Sequence, residues 1–355
     1  MVAIKTDLSL DDKLELSLQL ARFEQCPDLL SEEFIYPARA KGKVVPVFKI
    51  LLSNICYNDC LYCANRASRN CKRYKFKIDE VVKVFMTLYS RGKVNGLFIS
   101  SGVYDNPSRV QLEILKVIEI LRKKYHYPGY IHSKVIPGAN LDVTEAVFKF
   151  SDRVSLNLEA PGEKYIARIA PRKNFLKLYT SLKKLSQLAK KYGIKSGATT
   201  QIIVGVGEED DRTILSFAYR LYTQLGINRV YYSGFQPVKF TPLEGNLKCE
   251  DLRITRLYQA DYLIRLYGFK PQELIYDLQG NLILDKDPKL AWAEKNLIRK
   301  ININKAGFPE LIRVPGIGHN LATRIINLRR KVYLTPSRLR ELGIYKSQIL
   351  KFIQL

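Results

Sequence analysis

Between Phe48 and Phe235 six short apolar runs alternate with segments of helical periodicity, and this alternation restricts the fold more than any other feature of the chain. The strand candidates are Phe48–Ser53, Gly96–Ser101, Tyr130–Ile136, Arg153–Glu159, Thr199–Val204 and Arg229–Phe235. The helical candidates between them are Ile78–Arg91, Val110–Tyr125, Val143–Phe150, Phe175–Tyr192 and Arg212–Leu225. Each crossover is long enough to return the chain to the same edge, so the strands are expected to run parallel. Six such units curl into an open barrel of the (β/α)6 kind, and chemistry in strand-helix folds collects at the carboxyl ends of the strands.

At the end of the first strand lies Asn54-Ile-Cys-Tyr-Asn-Asp-Cys-Leu-Tyr-Cys-Ala-Asn65, which spaces Cys56, Cys60 and Cys63 as Cys-x3-Cys-x2-Cys. Three thiolates can hold three irons of a 4Fe-4S cube and leave the fourth iron open to a small molecule, whereas four cysteines would close it. A structural zinc site is the alternative, but it needs four ligands, and Cys71 is the only nearby cysteine. Cys26 and Cys249 share no spacing with the cluster and are expected to be buried small apolar residues. A disulfide framework does not suit 355 residues with 46% hydrophobic composition.

With this loop after the first strand, the chain resembles the radical S-adenosylmethionine (radical SAM) superfamily, whose fold is a partial (β/α)6 barrel. The resemblance implies a 4Fe-4S cluster on Cys56, Cys60 and Cys63, with S-adenosylmethionine on the open iron. One electron would then cleave the sulfonium bond to methionine and a 5′-deoxyadenosyl radical. Tyr62 takes the aromatic position that packs near the adenine in that family. Where the family carries a Gly-Gly-Glu-like turn, this chain reads Ser100-Ser101-Gly102-Val103, so the amino-group contact falls to backbone carbonyls or serine hydroxyls. Asn157 and Glu159 are expected on one strand face, contacting ribose or the methionine moiety. Gly205 and Gly207, in a Gly-x-Ile-x-Gly-x-x-Glu-like stretch, would let the backbone approach a flat ligand, and Ser233 closes the sixth strand similarly. Lys134, Arg168 and Arg172 are candidates to balance the methionine carboxylate. His132 and Lys134 share a face of the third strand, and if it is the inner one they need partners there.

From Ile301 onward the sequence resembles a helix-hairpin-helix module. A short helix ends near Arg313, Pro315-Gly316-Ile317-Gly318 makes the hairpin, and a second helix runs from about His319 to Arg330. Glycines there free backbone N–H groups at a helix N-terminus, the geometry that receives a phosphate without reading sequence. Arg324, Arg329 and Lys331 are candidate nucleic-acid contacts, and Leu334–Ile353 looks like a degenerate second copy around Leu342-Gly343-Ile344. His319 is expected to be a helix-end polar residue.

Charge agrees with this. The chain carries 58 basic and 34 acidic residues, net +24, a surplus that suits a polyanionic partner. Residues 291–355 alone hold thirteen lysines and arginines against three glutamates. The N-terminus lacks the layout of a signal peptide and no segment suits a bilayer, so a cytoplasmic protein without membrane contact is expected. The expected organisation is a helical cover over 1–47, with Asp11–Phe23 as its amphipathic helix, and a barrel over 48–240. A helical extension over 241–300, containing a helix Leu252–Tyr267, and a hairpin module over 301–355 complete it.

The joining of the two parts resembles a radical SAM family associated with DNA modification or repair and with uracil-DNA glycosylase genes. The matching stretches are Tyr62-Cys-Ala-Asn-Arg-Ala67, Phe98-Ile-Ser-Ser-Gly-Val103, Ile131-His-Ser-Lys-Val-Ile-Pro-Gly138, Leu158-Glu-Ala-Pro161, Arg256-Leu-Tyr-Gln-Ala-Asp261, Asp287-Pro-Lys-Leu-Ala-Trp-Ala293 and the hairpin. The resemblance implies a radical enzyme acting on DNA, an electron donor such as ferredoxin or flavodoxin, and association with uracil-DNA glycosylase. RNA such as tRNA as the substrate, and a non-catalytic iron-sulfur protein that senses damage, stay open as alternatives.

Overall fold

A computed structural model describes residues 8–21, 35–40, 43–194, 196–344 and 347–355. Cys26 lies outside them. The chain separates into two compact units, residues 1–209 with 221–251, and residues 210–220 with 252–355.

The first unit is built on one seven-stranded sheet: β1 (Ile35–Ala40), β2 (Lys43–Leu51), β3 (Gly96–Ser100), β4 (Tyr130–Lys134), β5 (Arg153–Ser155), β6 (Ala198–Val204) and β7 (Arg229–Gly234). Strands β2 to β7 are parallel and neighbour one another in chain order, as a curling half-barrel requires. Strand β1, which the periodicity does not reveal, pairs antiparallel with β2 within the stretch expected to be helical. Its sequence Ile-Tyr-Pro-Ala-Arg-Ala carries a proline, which an edge strand tolerates.

The helices α1 (Leu10–Ala21), α2 (Ile78–Ser90), α3 (Pro107–Lys123), α4 (Leu141–Phe148), α5 (Glu163–Ile169) and α6 (Phe175–Lys191) complete this unit. Helix starts follow capping chemistry: Asn106 and Asn174 accept from the N–H groups of Ser108 and Lys177. Helix α5 is too short for its periodicity to stand out. Helix α1 is tied to α2 by Lys13, whose ammonium lies 2.9 Å from Glu80. Residues of one parity on each strand, such as Leu97, Ile99, Ile131, Val154 and Val230, are fully buried beneath the helices, with Phe85 and Tyr127 in the same core. The other parity faces the concave interior.

The second unit holds α7 (Asp211–Arg220), α8 (Asp251–Tyr267), α9 (Pro288–Asn296), α10 (Phe308–Leu311), α11 (His319–Arg329), α12 (Pro336–Glu341) and α13 (Ser347–Leu350); Asp251 itself is counted with the first unit. Two short strands, β8 (Ile301–Asn302) and β9 (Ile353–Gln354), pair in parallel and close the C-terminal module. Its core is Ile303, Leu311, Val314, Ile317, Ile325, Leu334, Ile344 and Phe352. Asp211, fully buried, takes the Arg253 guanidinium at 2.9 Å and the Leu282 N–H. Among the described residues no helix is long and apolar enough to cross a membrane.

Candidate active site and hairpin module

Residues 52–77 leave the carboxyl end of β2 and return to α2 as a loop closed at its neck. Asn54 clasps both sides: its Nδ2 donates to Lys72 O and its Oδ1 accepts from the Tyr74 N–H. Gly102 presses the end of β3 against the same neck, donating to Ser53 O at 2.7 Å. A Cβ at Gly102 would stand 2.4 Å from Ile55 O, so only glycine fits.

The loop interior is organised around Arg73, which sequence reading did not single out. Its guanidinium is buried and donates to four carbonyls, those of Asn54, Asn65, Arg66 and Arg69. Arg66 forms a two-pronged pair with Asp59, both contacts at 2.7 Å, and Ser68 adds a third bond. The Arg66 bond, followed by Ser68, holds the Asp59 carboxyl well below its ordinary range, although burial works the other way. These bonds satisfy many of the polar groups of a loop that has no helix to do so, although the Asn65 Oδ1 stays buried without a hydrogen bond.

The three thiols hang on this frame. Cys60 is buried, Cys56 and Cys63 are half-buried. The Asn65 N–H donates to Cys63 Sγ at 3.4 Å, and Leu61 N–H ties the loop to Ile169 O at the end of α5. Cys71 donates weakly to Ala64 O, 3.9 Å away. Among the described residues no three His, Cys, Asp or Glu side chains converge on a single-ion site. The corners of a cube do not require convergence, because each thiolate meets a different iron. A lone tetrahedral ion does.

Beside the thiols sits a second group that sequence reading reached only in part. Glu159 is buried, and its Oε1 takes the Lys173 ammonium at 2.9 Å. Burial opposes the Glu159 charge, but Lys173 and then Lys134 outweigh it and lower its pKa. Burial likewise opposes the Lys173 charge, and Glu159 with Cys60 overcomes it to hold the ammonium protonated. Lys173 also bonds to Cys60, partly offsetting the upward push that burial gives that thiol. Tyr62 donates its phenol to Glu159 and is held far above its usual pKa, by burial first and then by Glu159. Lys173→Met is expected to cost about 3–5 kcal/mol, since it strands a buried carboxylate. Adding Glu159→Gln should recover part of that loss, and a double-mutant cycle from urea melts would check it.

The remaining candidates are placed as follows. Ser100 and Ser101 are buried at the end of β3, with the Ser101 hydroxyl donating to Gly102 O at 2.8 Å. The expected period-two face of Asn157 and Glu159 is not formed: β5 stops at Ser155 and Glu159 adopts a left-handed φ of 68°. The physical reason is a substituted ladder, in which the Leu158 N–H donates to the Thr200 hydroxyl instead of a backbone carbonyl. At Gly205, φ +96°, the close approach is made by Cys249, whose own Cβ lies 2.8 Å from where a side chain at Gly205 would begin. At Gly207 the Glu209 carboxylate comes within 2.6 Å of the same point. Ser233 is buried on β7. Arg168 pairs with Glu208, and Arg172 is exposed. The cation that meets a thiol is thus Lys173.

In the second unit Gly316 turns the hairpin at φ +82°, where a Cβ would stand 2.7 Å from Ile349. Pro315 and Ile317 are buried and Gly318 caps α11. His319 stacks between Tyr267 at 4.6 Å and Phe308 at 5.5 Å, which makes it a packed helix-end residue. Lys289 donates to Ile317 O at 2.7 Å, and burial lowers its pKa to about 8. Arg313 is held between Phe269 and Trp292, 4.1 and 4.8 Å from the ring centres, and pairs with Glu273. Arg329 donates to Ile303 O inside the module, whereas Arg324 and Lys331 are exposed.

The family model of the radical SAM superfamily matches residues 50–219, and that of the helix-hairpin-helix motif matches residues 297–339. An uncharacterized protein of Methanocaldococcus jannaschii is 25% identical over 234 residues, covering 61% of this chain. This chain spans 58% of that relative's length. Among solved structures, a maturase of the FeFe-hydrogenase superposes with a TM-score of 0.51 at 15% identity, over 74% of this chain and 56% of that one. Methylornithine synthase gives 0.49 at 19% identity, over 61% and 62%. The superfamily uses a 4Fe-4S cluster and S-adenosylmethionine, and the donor set fits: three thiols on one loop, one receiving a backbone N–H and one beside a buried ammonium. Residues 50–219 thus carry a radical SAM superfamily domain, and residues 297–339 a helix-hairpin-helix motif.

Proposed function

We propose that this chain is a radical SAM enzyme acting on DNA in modification or repair, with the C-terminal module holding the polynucleotide. The observation that carries this reading is the presence, in one basic chain, of the Cys56–Cys60–Cys63 loop and a helix-hairpin-helix motif. Cys56, Cys60 and Cys63 would hold the cluster. When bound there, the cluster and S-adenosylmethionine would supply one-electron chemistry, with a donor such as ferredoxin or flavodoxin as the electron source, to form a 5′-deoxyadenosyl radical for hydrogen abstraction. Asn54, Gly102 and Arg73 hold the thiol loop against the ends of β2 and β3. Glu159, Lys173 and Tyr62 form the polar wall beside it. A base within a duplex would have to leave the stack to reach such a site. Uracil-DNA glycosylase is proposed as a partner through the family likeness alone.

The test is anaerobic reconstitution, then dithionite and S-adenosylmethionine, with 5′-deoxyadenosine as the readout; an intact cluster that yields none removes the enzyme reading. Parallel gel shifts on DNA and RNA at several salt concentrations decide the polymer, and clear RNA preference would replace DNA with RNA. In those shifts the exposed pair Arg324→Ala/Lys331→Ala is expected to weaken binding about tenfold or more. It should also lower the salt slope by roughly two, with little effect on sequence preference.

A further inference from the structure

Phe240 is the most exposed aromatic side chain among the described residues, at 75%, so burial does not account for a phenyl ring at this position. Backbone geometry does not account for it either. Its φ of 62° lies in the left-handed region, which suits glycine or asparagine and strains an aromatic residue. Four described non-glycine residues take a positive φ, and the other three, His126, Glu159 and Glu208, are polar. Strain of this kind persists where the surroundings impose it, and it gathers at functional sites.

The loop imposes it from both sides. The chain leaves the carboxyl end of β7 with Val238 and Thr241 buried as anchors around an exposed Lys239-Phe240 tip. The Thr241 hydroxyl donates to Val238 O at 2.8 Å, and the Phe240 N–H donates to Glu244 Oε2 at 2.7 Å. Lys239 O accepts from Arg69 Nε at 2.9 Å, and the same guanidinium donates to Ala64 O at 3.0 Å. Ala64 follows Cys63 directly. One arginine therefore fastens the tip to the thiol loop, and Phe240 stands in solvent on the side of the sheet where the strand ends gather the site.

A fixed ring facing water suits a flat partner. Phenylalanine has no donor or acceptor with which to read a base edge, but it can stack on any base or press between two. Lys239 beside it suits the flanking phosphates as a point charge. A nucleotide that leaves a duplex for the site opens a gap in the stack, and an aromatic ring in that gap offsets the lost stacking.

We propose that Phe240 is an aromatic wedge, which enters the base stack beside the target nucleotide and holds open the gap that this nucleotide leaves. The proposal rests on nucleic acid being the substrate class, and it names the residue that unstacks the substrate. Phe240 acts there by contact with the neighbouring bases and takes no part in the radical chemistry.

The probe is a short duplex, of DNA or of whichever polymer binds better, with 2-aminopurine beside a single mismatch that localises the opening. Its fluorescence rises when the neighbouring stack is broken. The full chain with its cluster, without reductant, is expected to raise that fluorescence severalfold at saturating protein. Phe240→Asn should lose the rise and Phe240→Trp should keep it, as should Arg324→Ala/Lys331→Ala. Phe240→Asn should also weaken duplex binding by about tenfold. The salt slope should stay unchanged, since no phosphate contact is lost. Its Tm should not fall, because asparagine takes a positive φ more readily than phenylalanine. A rise that survives in Phe240→Asn, or no rise in a chain that binds the duplex, overturns the wedge and leaves the nucleic-acid reading standing. A Tm that falls in both Phe240→Asn and Phe240→Trp would give the ring a structural role and overturn it as well. Slower reduction of the cluster by flavodoxin in Phe240→Asn, with the rise unchanged, would make the tip a protein-docking point instead. A chain that shifts neither DNA nor RNA removes the nucleic-acid reading and the wedge together.

Discussion

Alanine at Cys56, Cys60 or Cys63 is expected to reduce bound iron and 5′-deoxyadenosine to the level of a blank, each substitution acting alone. Removing one thiolate leaves two corners of a cube held by protein, and Cys249 is buried against Gly205, away from this role. Cys71→Ala and Cys249→Ala are the controls, and both should keep full iron. Iron per chain and product per chain, measured after the same anaerobic reconstitution, check this. Tight zinc with no iron uptake would favour the tetrahedral-ion reading instead.

Arg73→Ala should be almost as damaging without touching a thiol. Four carbonyls lose their donor, and each one left buried and unsatisfied costs roughly 1–3 kcal/mol. With partial relaxation to water, a total of about 4 kcal/mol is expected, which lowers Tm by roughly 10 °C for a unit of this size. Arg73→Lys should recover little, because one ammonium with three donors cannot span four carbonyls. A thermal melt together with iron content decides it: normal iron and an unchanged Tm in Arg73→Ala would show that the loop holds its shape by other means.

The parts legible in the sequence are those with a short-range period or spacing. Five strands begin within a residue of their expected starts, and β2 begins earlier. The parallel order follows from crossover length. Cys56, Cys60 and Cys63 declare themselves by spacing within eight residues, and the hairpin by glycines that only a tight turn needs. Where a period is too short to register, as in α5, or broken by an edge proline, as in β1, the reading fails.

What escaped was set by distance in three dimensions. Lys173 and Glu159 lie 14 positions apart, and nothing local marks the lysine as buried or the pair as adjacent to Cys60. Lys134, Arg168 and Arg172 looked equally suitable, because a cation's worth depends on which charges surround it after folding. Arg73 is one of many basic residues in a basic chain, and only the closed loop turns it into a four-carbonyl knot. At Gly205 and Gly207, only the fold shows that Cys249 and Glu209 stand where a Cβ would be.

By itself, then, the sequence determined the strand-helix repeat, the three thiols and the basic hairpin, since period, spacing and charge are properties of neighbouring residues. Only the tertiary structure decided which buried charges meet, because burial and register bring together residues from strands far apart in the chain. That is how the thiol loop gained Lys173.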